Sequence, residues 1–322
     1  MLRATLAAVC VAFAGAAHAQ SATPSEQALA WLEKIQDASR RLSYHGVFVY
    51  QQGGRSETSR IARLADADVE HLEVLDGVPR EIVRTRDTLR CYMPDSKVVK
   101  VERRAANRSF PALLPEQVGA LTEHYEISLG ERLRVGGFEC QAVVLTPRDD
   151  LRYGYRLYAD VRTGMLVRAM TVDASGKPVE EFSFTQLTIG HVSPDMVKPR
   201  HPSSRGWRIE DAAAVPAHLD GWSVDPELPG FRKVLELKRR MGESPVGQLV
   251  YSDGLAAVSV FIEPLQSGHA AAPGLASLGA IHIYTRELAD YRITVVGEAP
   301  AASVRRIADA VQYRPVVEHR PQ

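Results

Sequence analysis

Apolar and polar residues alternate with a period of two along much of this chain, and the period lengthens to helical spacing only near its start, near its middle and near its end. The alternation is clear between Thr146 and Met170. There Tyr153, Tyr155 and Leu157 share one side of an extended segment, while Arg152 and Arg156 take the other, the pattern of a strand with one buried and one wet face. A turn is expected over Asp160 to Gly164, with the aspartate accepting from amides ahead of it and the glycine free to take a positive φ. Further strands are predicted at 44–50, 56–64, 70–75, 80–85, 89–93, 97–102, 126–135, 138–146 and 179–190. Gly53-Gly54, Asp76-Gly77, Arg86-Asp87, Pro94-Asp95 and Gly136-Gly137 separate them as turns. Turns this close together leave no room for the long crossovers that parallel strands need, so an antiparallel meander is expected.

Three stretches have helical spacing. Thr23-Pro24-Ser25-Glu26 has the form of a capping box with proline at the first helical position, and Ala28, Trp31, Leu32, Ile35, Ala38 and Leu42 follow on one face up to about Ser43. Leu113, Val118 and Leu121 predict a shorter helix between Pro111 and Tyr125. Val304, Ile307, Ala308 and Val311 mark a last one over 301–311. A long twisted sheet with two helices must curl to bury its inner face, so residues 20–190 are expected to form a large N-terminal antiparallel half-barrel capped by helices. His191 to Arg205 contains three prolines, two adjacent serines and no periodicity, which places a linker over 191–206. Strands at 248–251, 257–261, 281–285 and 291–296, followed by the last helix, make 207–322 a smaller C-terminal domain, and the fold class is α+β.

The N-terminus changes the picture of where the protein works. Arg3, the apolar run Leu6–Ala14 and Ala17-His18-Ala19 read as a secretory signal peptide over 1–19, which implies export and, in a bacterium, the periplasm. Cys10 lies inside that run and follows Val9, where a lipidation site wants a small residue. Lysine plus arginine equals aspartate plus glutamate, 39 of each, which removes the long-range field of a nucleic-acid binder. Cys91 and Cys140 remain after processing, either bridged across neighbouring strands or kept as small buried hydrophobes.

No catalytic constellation emerges. The chain lacks G-x-S-x-G, C-x-x-C, H-E-x-x-H and a P-loop, and its histidines are scattered singly, so no enzyme activity, metal or cofactor is expected. Ser252-Asp253-Gly254 between two apolar runs reads as a hairpin turn, with no base placed to activate the serine. The small basic clusters at Arg103-Arg104, Lys238–Arg240 and Arg305-Arg306 read as solvated faces, with contact to an acidic peptide or lipid phosphate as the other reading. If the helices leave part of the concave face unfilled, an apolar cavity for an acyl chain or apolar peptide remains. Phe48, Tyr50, Tyr153 and Tyr155 are the candidates to line it, against a plain role in the core.

Five stretches carry a resemblance to a known family: WLEKIQDASRRLSYHGVFVY, LDGVPREIVR, VVLTPRDDLRYGYRLYADVRTGML, LVYSDGLAAVSVFIEPL and ITVVGEAP. In this order, and across nearly the whole mature chain, they resemble the MucB/RseB family of periplasmic negative regulators of sigma-E-type envelope-stress sigma factors. The resemblance implies a non-enzymatic protein that binds the periplasmic domain of a membrane-spanning anti-sigma factor and shields it from the site-one protease. It also implies a large domain like the LolA and LolB lipoprotein carriers, and relief of inhibition by lipid or lipopolysaccharide. On that basis Tyr251, Asp253, Gly254 and Leu255 are the candidate contacts for the anti-sigma factor. A lipid or lipoprotein carrier is the second reading, and the sequence leaves open whether copies of the chain form a homo-oligomer.

Overall fold

The computed structural model describes residues 23–103, 114–115, 117–201, 206–211, 215–225, 228–241, 244–265 and 274–314. The signal peptide expected over 1–19 lies outside them. The first helix, α1 (Pro24–Arg41), starts on the predicted capping box. The Thr23 hydroxyl accepts from the Glu26 amide at 3.2 Å and the Glu26 carboxylate accepts from the Thr23 amide at 2.7 Å. Ala28, Leu32, Ile35 and Ala38 form its buried stripe. Leu32 and Ile35 each contribute on the order of 1.5–3 kcal/mol by leaving water.

Eleven antiparallel strands follow: β1 (Tyr44–Gln52), β2 (Arg55–Leu64), β3 (Val69–Val74), β4 (Glu81–Arg84), β5 (Thr88–Met93), β6 (Val98–Arg103), β7 (Tyr125–Val135), β8 (Phe138–Pro147), β9 (Gly154–Asp160), β10 (Leu166–Val172) and β11 (Pro178–Ile189). They order as β6-β5-β4-β3-β2-β1-β11-β10-β9-β8-β7, so the first and last hairpin-linked runs meet where β1 pairs with β11. A bulge between Val47 and Phe48 bends this central pair. Beside it, a Cβ at Gly46 would overlap the Gln186 carbonyl oxygen, so the close approach of β11 requires glycine. On the inner face Tyr44, Phe48, Phe182 and Phe184 meet edge to face at 5.8–6.3 Å between ring centres and pack beneath α1. The predicted turn after β9 forms as expected: the Asp160 carboxylate accepts from the Thr163 amide at 3.0 Å and Gly164 takes φ +79°.

The 146–170 stretch holds β9 and most of β10, which pair with each other, and one expectation differs. The second helix is a six-residue 3-10 turn, Val118–Glu123, with Val118 and Leu121 buried; Leu113 lies outside the described residues. Just beyond the expected linker, β12 (Arg208–Asp211) adds to the large sheet as a parallel edge strand on β6.

The smaller domain contains β13 (Val215–Pro216), β14 (Trp222–Val224), β15 (Arg232–Met241), β16 (Ser244–Ser252), β17 (Ala257–Pro264), β18 (Gly274–Leu278), β19 (Ile281–Leu288), β20 (Tyr291–Gly297), α2 (Ala301–Ala310) and β21 (Val311–Tyr313). Its seven-stranded sheet runs β13-β15-β16-β17-β20-β19-β18, and β14 pairs with β21 in a separate ribbon. The core joins Leu249, Val258, Val260, Ile293 and Val295 of the sheet to Val304, Ile307 and Ala308 of α2.

Candidate functional site at the junction of the two domains

Arg152 sits in the loop between β8 and β9, on the side of the chain that alternation assigns to solvent. Its side chain is instead fully buried, because three groups from two domains surround it. Nε donates to Asp149 at 3.0 Å, one terminal nitrogen to the Asp253 carboxylate at 3.1 Å, and the other to the Pro229 carbonyl at 2.6 Å. The guanidinium carbon lies 5.8 Å from the Tyr125 ring centre and 5.3 Å from that of Phe231, a cation held between two aromatic rings.

Asp253 is the small domain's half of the lock. One carboxylate oxygen accepts from Arg152 and from the Tyr125 hydroxyl at 3.0 Å; the other accepts from the Leu255 and Ala256 amides at 2.9 and 2.8 Å. A fully buried charge is tolerated only when paired and hydrogen-bonded, and this carboxylate receives four donors. Burial, with the Tyr155 phenol and the Asp253 carboxylate nearby, pushes the Tyr125 hydroxyl far above its usual range, so it stays a neutral donor.

Apolar contacts cross in both directions. Leu151 of the large unit packs against the small core, and Leu255 of the small domain packs against the large one. The Ser303 hydroxyl donates to the Leu151 carbonyl at 2.7 Å. Gly230, at φ +80°, lies so close to the His124 ring that a side chain there would collide with it.

A second cluster of charge lies along the same junction. Burial raises the Glu180 carboxyl on β11 to about 7; the Tyr50 hydroxyl bonds to it and opposes the rise, while the charge of Glu298 from the small domain adds to it. The same cluster pushes the Tyr50 hydroxyl well above its usual range, first through burial and then through Glu180.

The residues singled out from sequence do not all converge here. Tyr153 does reach the junction, its hydroxyl 3.5 Å from His282 Nδ1, and it lines a 520 Å³ cavity with Arg156 and Pro300. Phe48 and Tyr155 are buried in the large core and Tyr50 packs against that core, so these three fill the concave face instead of walling a shared cavity with Tyr153. The four candidate partner contacts are all engaged within the protein. Tyr251 is a core residue of the small domain, Asp253 is sealed by Arg152, Gly254 lies against Leu121 and Pro115, and Leu255 packs on the large core. None of them forms a free docking face in this conformation, because the turn that carries them is spent on joining the domains.

Ser252 is equally committed, donating to the Ala256 carbonyl at 2.8 Å and accepting from the Gly254 amide at 3.0 Å. Of the two readings of the cysteines, the structure has the unbridged one: Cys91 on β5 and Cys140 on β8 are both free, with seven strands between them in the sheet. Arg152, Tyr125 and Phe231 were not legible as a site. Their one sequence signal is that Arg152 and Asp253 stand in two of the five identifying stretches, which touch each other in space.

Comparison with known proteins gives this two-part arrangement a family. The model of the MucB/RseB N-terminal domain matches residues 27–204, and that of the MucB/RseB C-terminal domain matches residues 216–312. The chain belongs to the MucB/RseB family. As a MucB/RseB protein it is 30% identical over 319 residues to the Sigma factor AlgU regulatory protein MucB of Pseudomonas aeruginosa, covering 92% of this chain and 95% of that one. It is 26% identical over 303 residues to the Sigma-E factor regulatory protein RseB of Escherichia coli K12, covering 91% and 92%. Among solved structures it superimposes on the Pseudomonas aeruginosa MucA/MucB complex with a TM-score of 0.71 at 28% identity, over 90% of this chain and 100% of that one. The crystal structure of MucB in complex with MucA(peri) gives a TM-score of 0.70 at the same identity and coverage. These relatives are sigma-factor regulatory proteins, and the similarity spans both domains and the junction between them.

Proposed function

We propose that this protein is a non-catalytic periplasmic regulator. It binds the periplasmic domain of a membrane-bound anti-sigma factor and shields that domain from the site-one protease, restraining an envelope-stress sigma factor until lipid or lipopolysaccharide relieves the restraint. The observation that carries this reading is the likeness to MucB solved with MucA(peri), which extends over both domains at a TM-score of 0.70. The buried junction adds a physical reason for the pairing of domains: a partner that touches both meets them in one fixed relative orientation, so less ordering entropy is lost on binding. No helix among the described residues is long and apolar enough to cross a membrane, and a partner that is itself membrane-bound supplies the tether.

The deciding experiment mixes the mature protein with the periplasmic segment of the cognate anti-sigma factor and its site-one protease, with and without lipid. Stoichiometric protein is expected to slow cleavage, and lipid to restore it. Cleavage at an unchanged rate under every condition would overturn the proposal.

A further inference from the structure

The segment that leaves the large domain does not hang free. Beyond β11, the chain runs back over the outer face of the sheet, where Pro194–Val197 forms one 3-10 turn against β2 and β3 with Val197 buried. Ala62 and His71, which point outward from those strands, are buried at 6% and 8% exposure. Two strap groups, the Met196 carbonyl and the Arg200 amide, converge on one pair of side chains. His71 Nδ1 lies 3.1 Å from the Met196 carbonyl oxygen and Nε2 lies 2.7 Å from Glu81 Oε1, which also accepts from the Arg200 amide at 2.6 Å. The two side chains are only 10% and 4% exposed.

The hydrogen-bond count restricts the protonation state. A carbonyl oxygen only accepts, so Nδ1 must carry a proton; an ionised carboxylate only accepts, so Nε2 must carry one as well. An imidazolium alone satisfies both. The other solution, a neutral ring accepting from a protonated Glu81, is disfavoured: burial raises that carboxyl, but bonds from His71 and the Arg200 amide outweigh burial and leave it below its usual range.

The charged neighbours come from every packed element. Arg60 on β2 and Arg200 on the strap both bond Glu73 of β3, at 2.8 and 3.0 Å, and Lys198 bonds Asp195 within the strap at 2.6 Å. Tyr92 of β5 stands opposite Glu81. His45 of β1 shares the wall of the cavity beneath the strap, and His201 lies tilted against Trp207 with ring centres 5.3 Å apart, near Glu81. Of these three histidines, His71 alone bonds both the strap and its anchor.

We propose that His71 and Glu81 form a proton-dependent clasp, closed in the imidazolium form, that holds the 194–200 strap on the outer face of the large domain and releases it when the ring loses its proton. The strap forms one wall of a 440 Å³ cavity, with Met196 on one side and Val47, Ala62 and Leu187 on the other, so release opens that cavity and lengthens the chain free to move between the domains. The clasp stands apart from the partner reading and is tested without a partner.

The test follows amide hydrogen exchange of 195–201 in the full mature chain at about pH 6 and about pH 8.5, as protection factors, with ¹⁵N shifts of the His71 ring. Both ring nitrogens should be protonated at the lower pH, and strap protection should fall at least about ten-fold at the higher one, the worth of one hydrogen bond to a charged group. Glu81→Gln keeps one oxygen for the His71 ring and the Arg200 amide but removes the charge that favours the imidazolium, so the fall in strap protection should move to lower pH. His71→Leu should leave the strap poorly protected at both values. Equal protection in the wild type at both values would overturn the clasp. So would a singly protonated ring under a protected strap, or a loss of protection in β8 and β9 that matches the loss in the strap.

Discussion

Removal of one partner from the Arg152–Asp253 lock should cost more than any surface substitution, and the cost can be worked out from the contacts. Asp253→Ala leaves the Arg152 guanidinium, fully buried, with Asp149 and a carbonyl but without its buried counter-ion, and leaves the Tyr125 hydroxyl and two amides without their acceptor. Breaking a buried pair from one side costs about 3–5 kcal/mol. Arg152→Met should cost less, because Asp253 keeps three of its four donors. The double variant should be more stable than the sum of the two losses predicts, with a coupling of about 2 kcal/mol, since neither charge is then left alone. Urea unfolding followed through Trp31 in the large domain and Trp222 in the small one measures all four corners of the cycle. A single transition in the wild type that splits into two in Asp253→Ala would locate the lost energy at the junction. A coupling below about 0.5 kcal/mol would refute the lock and reduce Asp253 to a local turn former.

Three further outcomes follow from the fold. Glu180 has its carboxyl raised from 4.5 to about 7, so the folded protein binds more protons than the unfolded chain between those values; its contribution is intact below about pH 4.5 and is lost as pH rises through about 7. The full shift corresponds to about 3 kcal/mol and partial solvent contact reduces it to about 1–2, so urea midpoints should fall over that window and Glu180→Gln should flatten the slope. Gly46→Ala should cost about 1–3 kcal/mol or more in thermal unfolding, because the added methyl meets the Gln186 carbonyl and forces β1 from β11. Phe48→Ala should cost about 3–5 kcal/mol by denaturation if the residue is core; a loss under about 1 kcal/mol would return it to a cavity wall.

Local signals in the chain translate well into local structure. The Thr23 capping box, the Asp160–Gly164 turn and the alternation of the meander all state a geometry that neighbouring residues enforce, and each appears where predicted. Contacts between distant segments are another matter. Alternation assigns Arg152 to solvent because that side of a lone strand is wet, and nothing local shows that a second domain covers it. The same burial turned the Tyr251–Leu255 signature from a candidate docking face into a structural joint. β15, Arg232–Met241, escaped notice because its many charges mask the alternation of Leu235 and Leu237, which a two-domain context explains: Arg239 reaches Glu102 of the large sheet at 3.0 Å. The prolines at 194 and 199 mark an irregular segment correctly, yet it is His71 and Glu81, over a hundred residues earlier, that decide where that segment lies.

The parallel strand β12 gives the architecture a mechanical character. It fastens the start of the small domain to β6, near one margin of the large sheet, where Arg239 also holds Glu102. The Asp253 turn is bolted at the opposite margin, to Tyr125 at the start of β7. The small domain therefore acts as a tie rod between the two free ends of a curved spring. Any guest that flattens or tightens the curl must change the distance between those ends, and the rod has to pivot or pull loose at one of them. Strain in the large sheet thus reaches the small domain directly, through these end fastenings and through the contacts of Tyr153 with His282 and of Ser303 with Leu151.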